Sequence, residues 1–351
     1  MAKISVAVLG ATGMVGQQYI RLLESHPWFE VSLLVGKKSA GKLYGEAAEW
    51  IGENDPPERI QRMQVEESVP QNFVGLIFSC LPSDAAKEQE GAYAKKHPIV
   101  SNTSAFRMER DVPVLVPEIN SSHLELIKRQ RTERGWKGFI VTKPNCTTTG
   151  LVMSLKPLDD RYKVKRVIVT TMQAVSGAGF PGVSSLQIID NIIPYIKDEE
   201  EKLVNETKKI LGNIRDNFVI ENPMLLAASC NRVSVIDGHT ESVYIETEGE
   251  IDVEEAKNTM SSFKGLPQDF KLPSAPEHPL IVREGKDRPQ VRRDRFAGTV
   301  PGMSVVIGRV RRGLDSRSLQ YTLLSHNTIR GAAGNAILTA ELLNRLCYLE
   351  R

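Results

Sequence analysis

At 351 residues the chain is long enough for two domains and a large buried core. Its 41% hydrophobic and 25% charged residues are typical of a globular protein, and its formal net charge of +2 gives no basic field of the kind that nucleic-acid binders carry. Cys80, Cys146, Cys230 and Cys347 form no CxxC pair, which disfavours a zinc site or a disulfide framework. The sequence has no signal peptide and no apolar run of transmembrane length, so we expect a cytoplasmic protein without a metal site.

The first residues have the pattern of a dinucleotide-binding unit. Ile4–Leu9 is an apolar run typical of a buried parallel strand, and a helical pattern continues to about Glu24. Between them lies the glycine turn 10–16, GATGMVG, whose glycines let the backbone approach a pyrophosphate at the helix N-terminus. The spacing is G-x-x-G-x-x-G rather than the strict G-x-G-x-x-G, so a glycine turn that serves packing alone is the alternative.

The end of the second strand indicates which dinucleotide is bound. After a strand such as Val31–Val35, a NAD site usually has an acidic residue for the ribose hydroxyls. This chain has Lys37, Lys38 and Ser39 there, a set that suits a 2′-phosphate. The sequence therefore favours NADP, with a solvated basic loop as the alternative.

Two further strands, 74–79 and Pro98–Ser101, extend the predicted parallel sheet. The first leads through Ser83 into a helix that we expect Asp84 to cap. The second is followed closely by Arg107. Ligands of open α/β sheets bind at the carboxyl ends of the strands, so Arg107 is placed to reach a substrate anion. A surface salt bridge explains this arginine equally well.

Residues 143–150, KPNCTTTG, are where we expect covalent chemistry. An apolar run precedes them and a helical pattern follows, so Pro144 should break the strand and Cys146 should lie at the first helical turn. The positive end of the helix dipole and the free N–H groups there favour the nucleophilic thiolate. The alternative is a small buried hydrophobic residue, which most free cysteines are.

The periodicity changes after residue 150 and predicts a second sheet. Its strands are expected at 165–175, 227–236, 241–247, 304–311 and 319–324. Gln173 lies near the end of the first of these strands, and Arg232 lies seven residues before His239. An imidazole titrates near neutral pH, so His239 is a candidate general base, although five other histidines exist.

Helices are predicted between and after these strands, at 183–196, 199–211, 252–263 and 330–346. The second of them carries Glu206 and Lys209 one turn apart on the same face, for which a surface ion pair is the default interpretation. Residues 265–301 are rich in proline and polar groups and predict a long excursion that forms a subunit contact or a lid.

Together these motifs resemble the aspartate-semialdehyde dehydrogenases over nearly the whole chain. The markers, in chain order, are GATGMVG at 10–16, NTSAFR at 102–107, PNCTTTG at 144–150, Gln173 followed by SGAG, Glu206 with Lys209, Arg232 with His239, and HNTIRGAAGNA at 326–336. No single motif decides, but seven motifs in this order and spacing are very unlikely by chance. The stretch GKLYGE at 41–46 and the sequence GAAGNA are more similar to the archaeal and fungal branch than to the common bacterial one.

The resemblance implies an α/β fold with a Rossmann-type NADP-binding domain and an α+β catalytic and dimerisation domain that contains a mixed sheet. Residues 1–146 would form the first domain, completed by the C-terminal helix 326–351. Residues 147–325 would form the second domain, through which we expect a homodimer or homotetramer. Small-molecule substrates, rather than nucleic acid or membrane, would be its partners.

The implied activity is the reversible, NADPH-dependent reductive dephosphorylation of L-aspartyl 4-phosphate to L-aspartate 4-semialdehyde, a step toward lysine, threonine, methionine and isoleucine. By the same resemblance, Cys146 would form a thioester, His239 would shuttle the proton and Gln173 would orient the acyl group. The substrate-binding residues would be Arg232 for the α-carboxylate, Glu206 for the ammonium group, and Arg107 with Lys209 for the phosphate. The cofactor contacts would be Gly10, Thr12, Gly13, Met14, Val15, Lys38, Ser39, Ser83, Ser176, Gly177 and Asn327.

Three other functions are compatible with parts of the sequence. A malonyl-CoA reductase or an N-acetylglutamyl-phosphate reductase would use the same scaffold, and a CoA thioester needs neither a phosphate-binding pair nor an ammonium acceptor. A non-catalytic NADP-binding regulator would need no reactive thiol. Nucleic-acid binding by the basic run 288–295 would require salt-dependent affinity, but no stacking aromatic residues are interleaved with its arginines.

Overall fold

The computed structural model describes residues 2–52, 54–73 and 75–349. Val74, the first residue of the expected strand 74–79, lies outside the described residues. So do Met1 and the last two residues of the expected C-terminal segment 326–351.

A parallel sheet forms the centre of the first domain. Its strands, within the described residues, are β1 Ile4–Leu9, β2 Phe29–Val35, β3 Val65–Glu66, β4 Leu76–Ser79, β5 Pro98–Ser101 and β6 Phe139–Thr142. They lie in the order β3-β2-β1-β4-β5-β6, which is the strand order of dinucleotide-binding folds. The helices of this part are α1 Met14–Leu23, α2 Tyr44–Ala47, α3 Glu58–Gln61, α4 Ser83–Ala94 and α5 Leu126–Arg134. Continuous apolar strands such as β1 and β4 are buried here, as a parallel sheet covered on both faces requires.

A mixed sheet forms the second domain. Its strands are β7 Val164–Gln173, β10 Leu225–Arg232, β11 His239–Thr247, β12 Leu280–Arg283, β13 Val305–Arg312 and β14 Ser318–Ser325, while β8 Asn213–Arg215 and β9 Phe218–Ile220 form a separate hairpin. In the described chain the sheet order is β10-β7-β11-β14-β13-β12, with β7–β10 and β12–β13 parallel and the other pairs antiparallel. The remaining helices are α6 Cys146–Tyr162, α7 Ser185–Ile188, α8 Glu199–Ile210, α9 Val253–Ser261, α10 Leu266–Asp269, α11 Val291–Asp294 and α12 Gly334–Arg345. The predicted fold class, a parallel-sheet domain with a mixed-sheet domain, is confirmed.

The two sheets are joined by α6 and by the segment that leads into α12. Helix α6 follows β6 directly and packs its apolar residues, among them Leu151 and Leu155, into the core of the second sheet. Helix α12 returns to the first domain, where Leu338 and Leu342 pack in one core with Val6 and Val8 of β1. The carboxyl end of the first sheet and the start of α6 therefore face the second domain.

The sequence prediction was wrong for two segments. Only Ser185–Ile188 of the expected helix 183–196 is helical, because Asp190 has a left-handed backbone (φ 57°) and Ile193 instead pairs with Arg232 in an antiparallel bridge. The expected excursion 265–301 contributes edge strand β12 to the second sheet. Its residue Leu272 also packs into the core of the first domain, so much of this segment is structural.

Two smaller features concern helix ends and length. The helix after β4 begins at Ser83 with Pro82 at its N-cap, so Asp84 lies in the first turn and is not the expected cap. Among the described residues, no helix is both long enough and apolar enough to cross a membrane.

Candidate active site

Cys146 is the first residue of α6, as the sequence predicts. Strand β6 ends at Thr142, and the helix is capped by Asn145, whose side-chain oxygen accepts the N–H of Thr147 at 2.8 Å. Such a cap satisfies one of the free N–H groups of the first turn and fixes the start of the helix. The Cys146 side chain, which is half-buried, therefore projects from a fixed helix end between the two domains.

A histidine from the second domain lies against this thiol. His239, the first residue of β11, places Nε2 at 3.1 Å from Cys146 Sγ. Its Nδ1 accepts the main-chain N–H of Ala174 at 3.0 Å, so the proton of the neutral ring is on Nε2 and points to the sulfur. Burial, followed by the charge of Arg232, lowers the pKa of His239 to about 3. The ring is therefore a neutral hydrogen-bond donor to the sulfur in this structure.

The charges around the thiol act in opposite directions. Burial raises the pKa of Cys146, and the carboxylate of Glu199 raises it further. The cations Lys143, Arg232 and Arg107 lower it. Because burial and Glu199 dominate, the pKa of the thiol lies above its usual value, and the three cations limit this rise.

A cavity of about 860 Å³ connects the thiol to the glycine turn of the first domain. Every residue that the sequence predicts as a cofactor contact lines it: Gly10, Thr12, Gly13, Met14, Val15, Lys38, Ser39, Ser83, Ser176, Gly177 and Asn327. Cys146 and Arg107 line the same cavity. One continuous space therefore runs from a dinucleotide-type turn to a cysteine nucleophile.

Two further predicted residues lie beside the thiol, behind the cavity wall. Gln173 donates its amide to Thr147 and, at 3.0 Å, to Glu199, while its own oxygen has no partner among the described residues. Arg232 donates to the carbonyl oxygen of Ala174 at 2.7 Å. A side chain at Gly177 would lie 2.8 Å from Nη1 of Arg232, so only glycine permits this arginine to approach the turn.

The structure brings Arg107 to the cavity but leaves Glu206 and Lys209 outside its lining. Glu206 is buried and uses both oxygens, one for Arg107 Nη1 at 2.9 Å and the other for the N–H of Asn145. Lys209 donates its three ammonium protons to the carbonyl oxygens of Arg107, Glu109 and Val112, at 2.6 to 2.9 Å. Both side chains therefore stabilise the loop 102–112, which carries Arg107, from the side that faces away from the cavity.

Sequence reasoning missed Glu199 and Lys202, which line the cavity in the first turn of α8. They have the same E-x-x-K spacing as Glu206 and Lys209, two helical turns earlier. A signal was available, because the predicted helix begins at Glu199 and ligand sites favour helix N-termini. Lys143, also missed, is buried and lines the cavity one turn before Cys146. The described residues contain no cluster of His, Cys, Asp or Glu that could hold a metal ion.

Comparison with known proteins identifies the family. The semialdehyde dehydrogenase NAD-binding domain matches residues 5–127, and the semialdehyde dehydrogenase dimerisation domain matches residues 155–330. The chain belongs to the semialdehyde dehydrogenase family. The resemblance predicted from the motifs is thereby confirmed.

The relatives of this semialdehyde dehydrogenase span its whole length. An aspartate-semialdehyde dehydrogenase of Methanothermobacter thermautotrophicus is 48% identical, covering 98% of this chain and 99% of the relative. A malonyl CoA reductase (NADP) of Metallosphaera sedula is 42% identical over 99% of both chains. The crystal structure of aspartate semialdehyde dehydrogenase with NADP from Candida albicans superposes with a TM-score of 0.89 at 38% identity, covering 98% of this chain and 99% of the other.

Proposed function

We propose that this semialdehyde dehydrogenase is an NADP-dependent, phosphorylating aspartate-semialdehyde dehydrogenase, which converts L-aspartyl 4-phosphate to L-aspartate 4-semialdehyde and phosphate, reversibly. One observation carries the proposal. The Cys146 thiol, with His239 at 3.1 Å, faces the same cavity as the glycine turn, Arg107, Glu199 and Lys202, while Arg232 lies behind the cavity wall. The aspartate-semialdehyde dehydrogenases among its relatives support the same substrate.

The first domain fits NADP at two points. Gly13 caps α1 without a side chain, and the first turn of α1 has no acidic residue, so its N–H groups suit a pyrophosphate. Lys37, Lys38 and Ser39 line the same cavity at the end of β2, where they suit a 2′-phosphate, although Glu67 lies at that end too. When bound, NADPH supplies the hydride that reduces the acyl carbon.

Each charged group of the substrate has a partner in the site. We assign the α-carboxylate to Arg232, whose planar guanidinium suits a bidentate contact. The α-ammonium goes to Glu199, because Glu199 lines the cavity and Glu206 does not. The phosphate goes to Lys202 and to Arg107, whose buried Nε–H has no partner among the described residues.

The reaction then follows from the positions of these side chains. The Cys146 thiolate attacks the acyl carbon and displaces phosphate, which leaves a thioester. His239, with its proton on Nε2, donates a hydrogen bond to the sulfur and to the oxyanion that develops next to it. Gln173, held between Thr147 and Glu199, fixes the acyl group beside the sulfur.

The decisive experiment measures NADPH formation from NADP and L-aspartate 4-semialdehyde, with and without inorganic phosphate. We expect strict phosphate dependence and a loss of more than about a thousandfold in kcat for Cys146→Ala. Cys347→Ala, a change of an exposed cysteine outside the cavity, is the matched control and should behave as wild type. Activity that ignores phosphate would contradict the acyl-phosphate substrate.

Malonyl-CoA reduction is the second candidate, because a relative of that name is 42% identical over nearly the whole chain. Malonyl-CoA carries no ammonium group, so the Glu199 carboxylate, which affects the pKa of Cys146, would gain no charged partner from that substrate. Comparison of malonyl-CoA and L-aspartate 4-semialdehyde with one preparation separates the two substrates. Turnover of malonyl-CoA alone would replace the first proposal with the second.

We propose a homodimer formed through an exposed apolar face of the second domain. Leu186, Ile189, Ile192 and Tyr195 of segment 185–196 are largely exposed, and Leu186 is 94% exposed. Exposed apolar clusters of this kind mark protein interfaces. Leu186→Asp together with Ile192→Asp should yield monomers in light scattering after size exclusion, whereas Leu314→Asp, a control on a turn with 85% exposure, should not. A mass of four chains for the wild type would favour a homotetramer instead.

Cytoplasm is the compartment we propose for the enzyme. Cys80, Cys146, Cys230 and Cys347 are all free thiols in the structure, and a reducing compartment keeps them so. A fractionated cell extract in which activity stays with the cytosolic marker would agree with this assignment.

A further inference from the structure

Lys143 is the first of the three residues that link β6 to α6, and it lies three residues before Cys146. Its main-chain N–H donates to the carbonyl oxygen of Ser101 at 2.9 Å, which anchors the residue to the neighbouring strand β5. The side chain is 5% exposed and lines the cavity. A lysine that is buried this deeply normally pairs its ammonium group with a partner.

The ammonium group and the thiol rest against the same piece of backbone. Lys143 Nζ donates to the carbonyl oxygen of Gly331 at 2.5 Å. Gly331 in turn packs directly on Cys146, since a Cβ built on this glycine would lie 2.7 Å from the Cys146 Cβ. The ammonium has three protons, and Gly331 is its one acceptor among the described residues. Lys143 therefore holds free hydrogen-bonding capacity next to the thiol.

The other cations near Cys146 have other partners. Arg107 is paired with the carboxylate of Glu206 at 2.9 Å, so its charge is largely compensated. Arg232 donates to a carbonyl oxygen and is the proposed partner of the substrate carboxylate. His239 is a neutral donor, because its Nδ1 accepts the Ala174 N–H.

We propose that Lys143 supplies the positive charge that stabilises the Cys146 thiolate, a task that histidinium performs in many Cys–His pairs. This inference deepens the proposed function, because it concerns the same nucleophile, but it concerns the resting enzyme without substrate or cofactor. Lys143 is a positioning residue, because it affects the reaction only by stabilising the negative charge on the Cys146 sulfur. The carboxylate of Glu199 raises the pKa of Cys146 and so acts against the thiolate, whereas Glu206 and Glu199 both raise the pKa of Lys143 and favour its charged form.

The effects of Lys143 and Cys146 on each other's pKa agree with the geometry. Burial and the neighbouring Arg107 lower the pKa of Lys143 to about 8, while Cys146, Glu206 and Glu199 act to raise it. Lys143 is also the first of the groups that lower the pKa of Cys146, ahead of Arg232 and Arg107. An ammonium that shares a buried site with a thiol favours the ion pair over the neutral pair.

The test is a pH titration of the Cys146 thiolate by its absorbance at 240 nm, on apoenzyme. Cys146→Ser provides the baseline for the other thiols. We compare Lys143→Met, which removes the amine, Lys143→Gln, which keeps a donor for Gly331 but no charge, and Lys143→Arg, which keeps the charge. We expect the thiol pKa to rise by about one unit or more in the Met and Gln variants and by less than about half a unit in the Arg variant.

Alkylation by iodoacetamide at pH 7 provides a second readout. The Cys146 rate should fall by about threefold to tenfold in Lys143→Gln, while exposed Cys347 in the same sample keeps its rate. If Lys143→Met does not fold, Lys143→Gln carries the test, because it retains the bond to Gly331.

Three results would overturn the inference. A thiol pKa that is unchanged in Lys143→Gln removes the charge role, and an equal rise in Lys143→Arg assigns the effect to packing. A larger rise in His239→Ala than in Lys143→Gln would make the hydrogen bond from the histidine, rather than the charge of Lys143, the main stabiliser of the thiolate. Since no substrate is present, these outcomes do not depend on which acyl substrate the enzyme turns over.

Discussion

At the scale of a single residue, Gly331 determines where the Cys146 thiol lies. Any side chain there would meet the Cβ, Cα and carbonyl oxygen of Cys146 within about 3 Å, at 2.7, 3.0 and 3.1 Å. The glycine is also the acceptor for Lys143. One small residue from the C-terminal part of the chain thus determines where both members of the pair lie.

Gly331→Ala should therefore displace the thiol and lower kcat by roughly a hundredfold, since small misplacements of reacting groups have effects of that size. Steady-state assays of the aldehyde oxidation measure it. Gly249→Ala is the matched control, because a Cβ there has nothing within 4 Å. Equal kcat values for the two variants would show that the active site tolerates the added methyl group.

Glu241 gives a prediction for pH dependence. This carboxyl is fully buried, has no hydrogen-bond partner among the described residues, and its burial raises its pKa well above the usual value. The folded state therefore keeps a proton that the unfolded chain releases above about pH 4.3. Stability should fall by about 1.4 kcal/mol per pH unit as pH rises from there to the folded pKa.

Glu241→Gln removes this proton difference. The gap in unfolding free energy between the variant and wild type should grow in favour of the variant between pH 5 and pH 8, as urea titrations at several pH values would show. A constant gap across that range would mean that Glu241 is ionised in the folded protein.

Local sequence determines some of these residues and not others. Cys146 was found from the sequence because an apolar run, a proline and a helical pattern are all close to it, and such signals act over a few residues. The contact of Gly331 with Cys146 joins residues 185 positions apart, so no local pattern contains it. His239 was singled out by resemblance, because its partner Ala174 follows strand β7 and lies 65 residues earlier in the chain.

Helix α8 shows, at the scale of an element, why two similar motifs differ in their surroundings. Its first turn carries Glu199 and Lys202 at the cavity, whereas its last turn carries Glu206 and Lys209 behind the Arg107 loop. Both pairs have the same spacing, so the periodicity predicts a shared face but not which end of the helix meets the ligand. That depends on how α8 packs against α6 and β10, which involves residues far along the chain.

The two ends of α8 should respond differently to mutation. Glu199→Gln should raise KM for L-aspartate 4-semialdehyde by about tenfold to a hundredfold, because this factor corresponds to the usual free energy of a hydrogen bond to a charged group. Lys209→Met should leave KM near wild type but destabilise the fold by about 2–4 kcal/mol, because three carbonyl oxygens lose their donor. Substrate kinetics and urea unfolding on both variants distinguish the two effects, and the reverse pattern would return the substrate role to the second pair.

A buried ion pair links distant parts of the whole molecule. Arg330, in the π-helical turn before α12, binds Glu118 of the first domain with two hydrogen bonds at 2.8 and 2.6 Å, and both side chains are fully buried. The same guanidinium contacts the sulfur of Met153 in α6. The pair therefore ties the C-terminal segment to both the first domain and the catalytic helix.

Glu118→Gln should destabilise the protein by about 3–5 kcal/mol, because it leaves a buried guanidinium without its counter-charge. Thermal and urea unfolding measure this loss. Lys156→Met, which removes a surface pair with Asp160, is a suitable control and should change stability by less than about 1 kcal/mol. Similar values for the two variants would mean that the buried pair adds little to the connection between the domains.

The whole fold was predictable in outline and less so in its connections. The apolar strands and the glycine turn give the parallel sheet, since both signals are local. The segment 265–301 looked irregular because its proline content hides strand β12, which is stabilised by pairing with β13. Only the folded chain shows that Leu272 of this segment completes the core of the first domain.

Helix α12 and Gly331 also affect how the protein is made. A ribosome finishes the first parallel sheet at Thr142 long before it adds the residues of α12 that fill the core beside Val6 and Val8. During most of translation the nascent sheet therefore exposes the apolar groove that α12 later fills. In the same interval Gly331 does not yet pack against Cys146. Such exposed apolar surface is the kind that chaperones shield, and the position of Cys146 against Gly331 is complete only after residue 331 has been added.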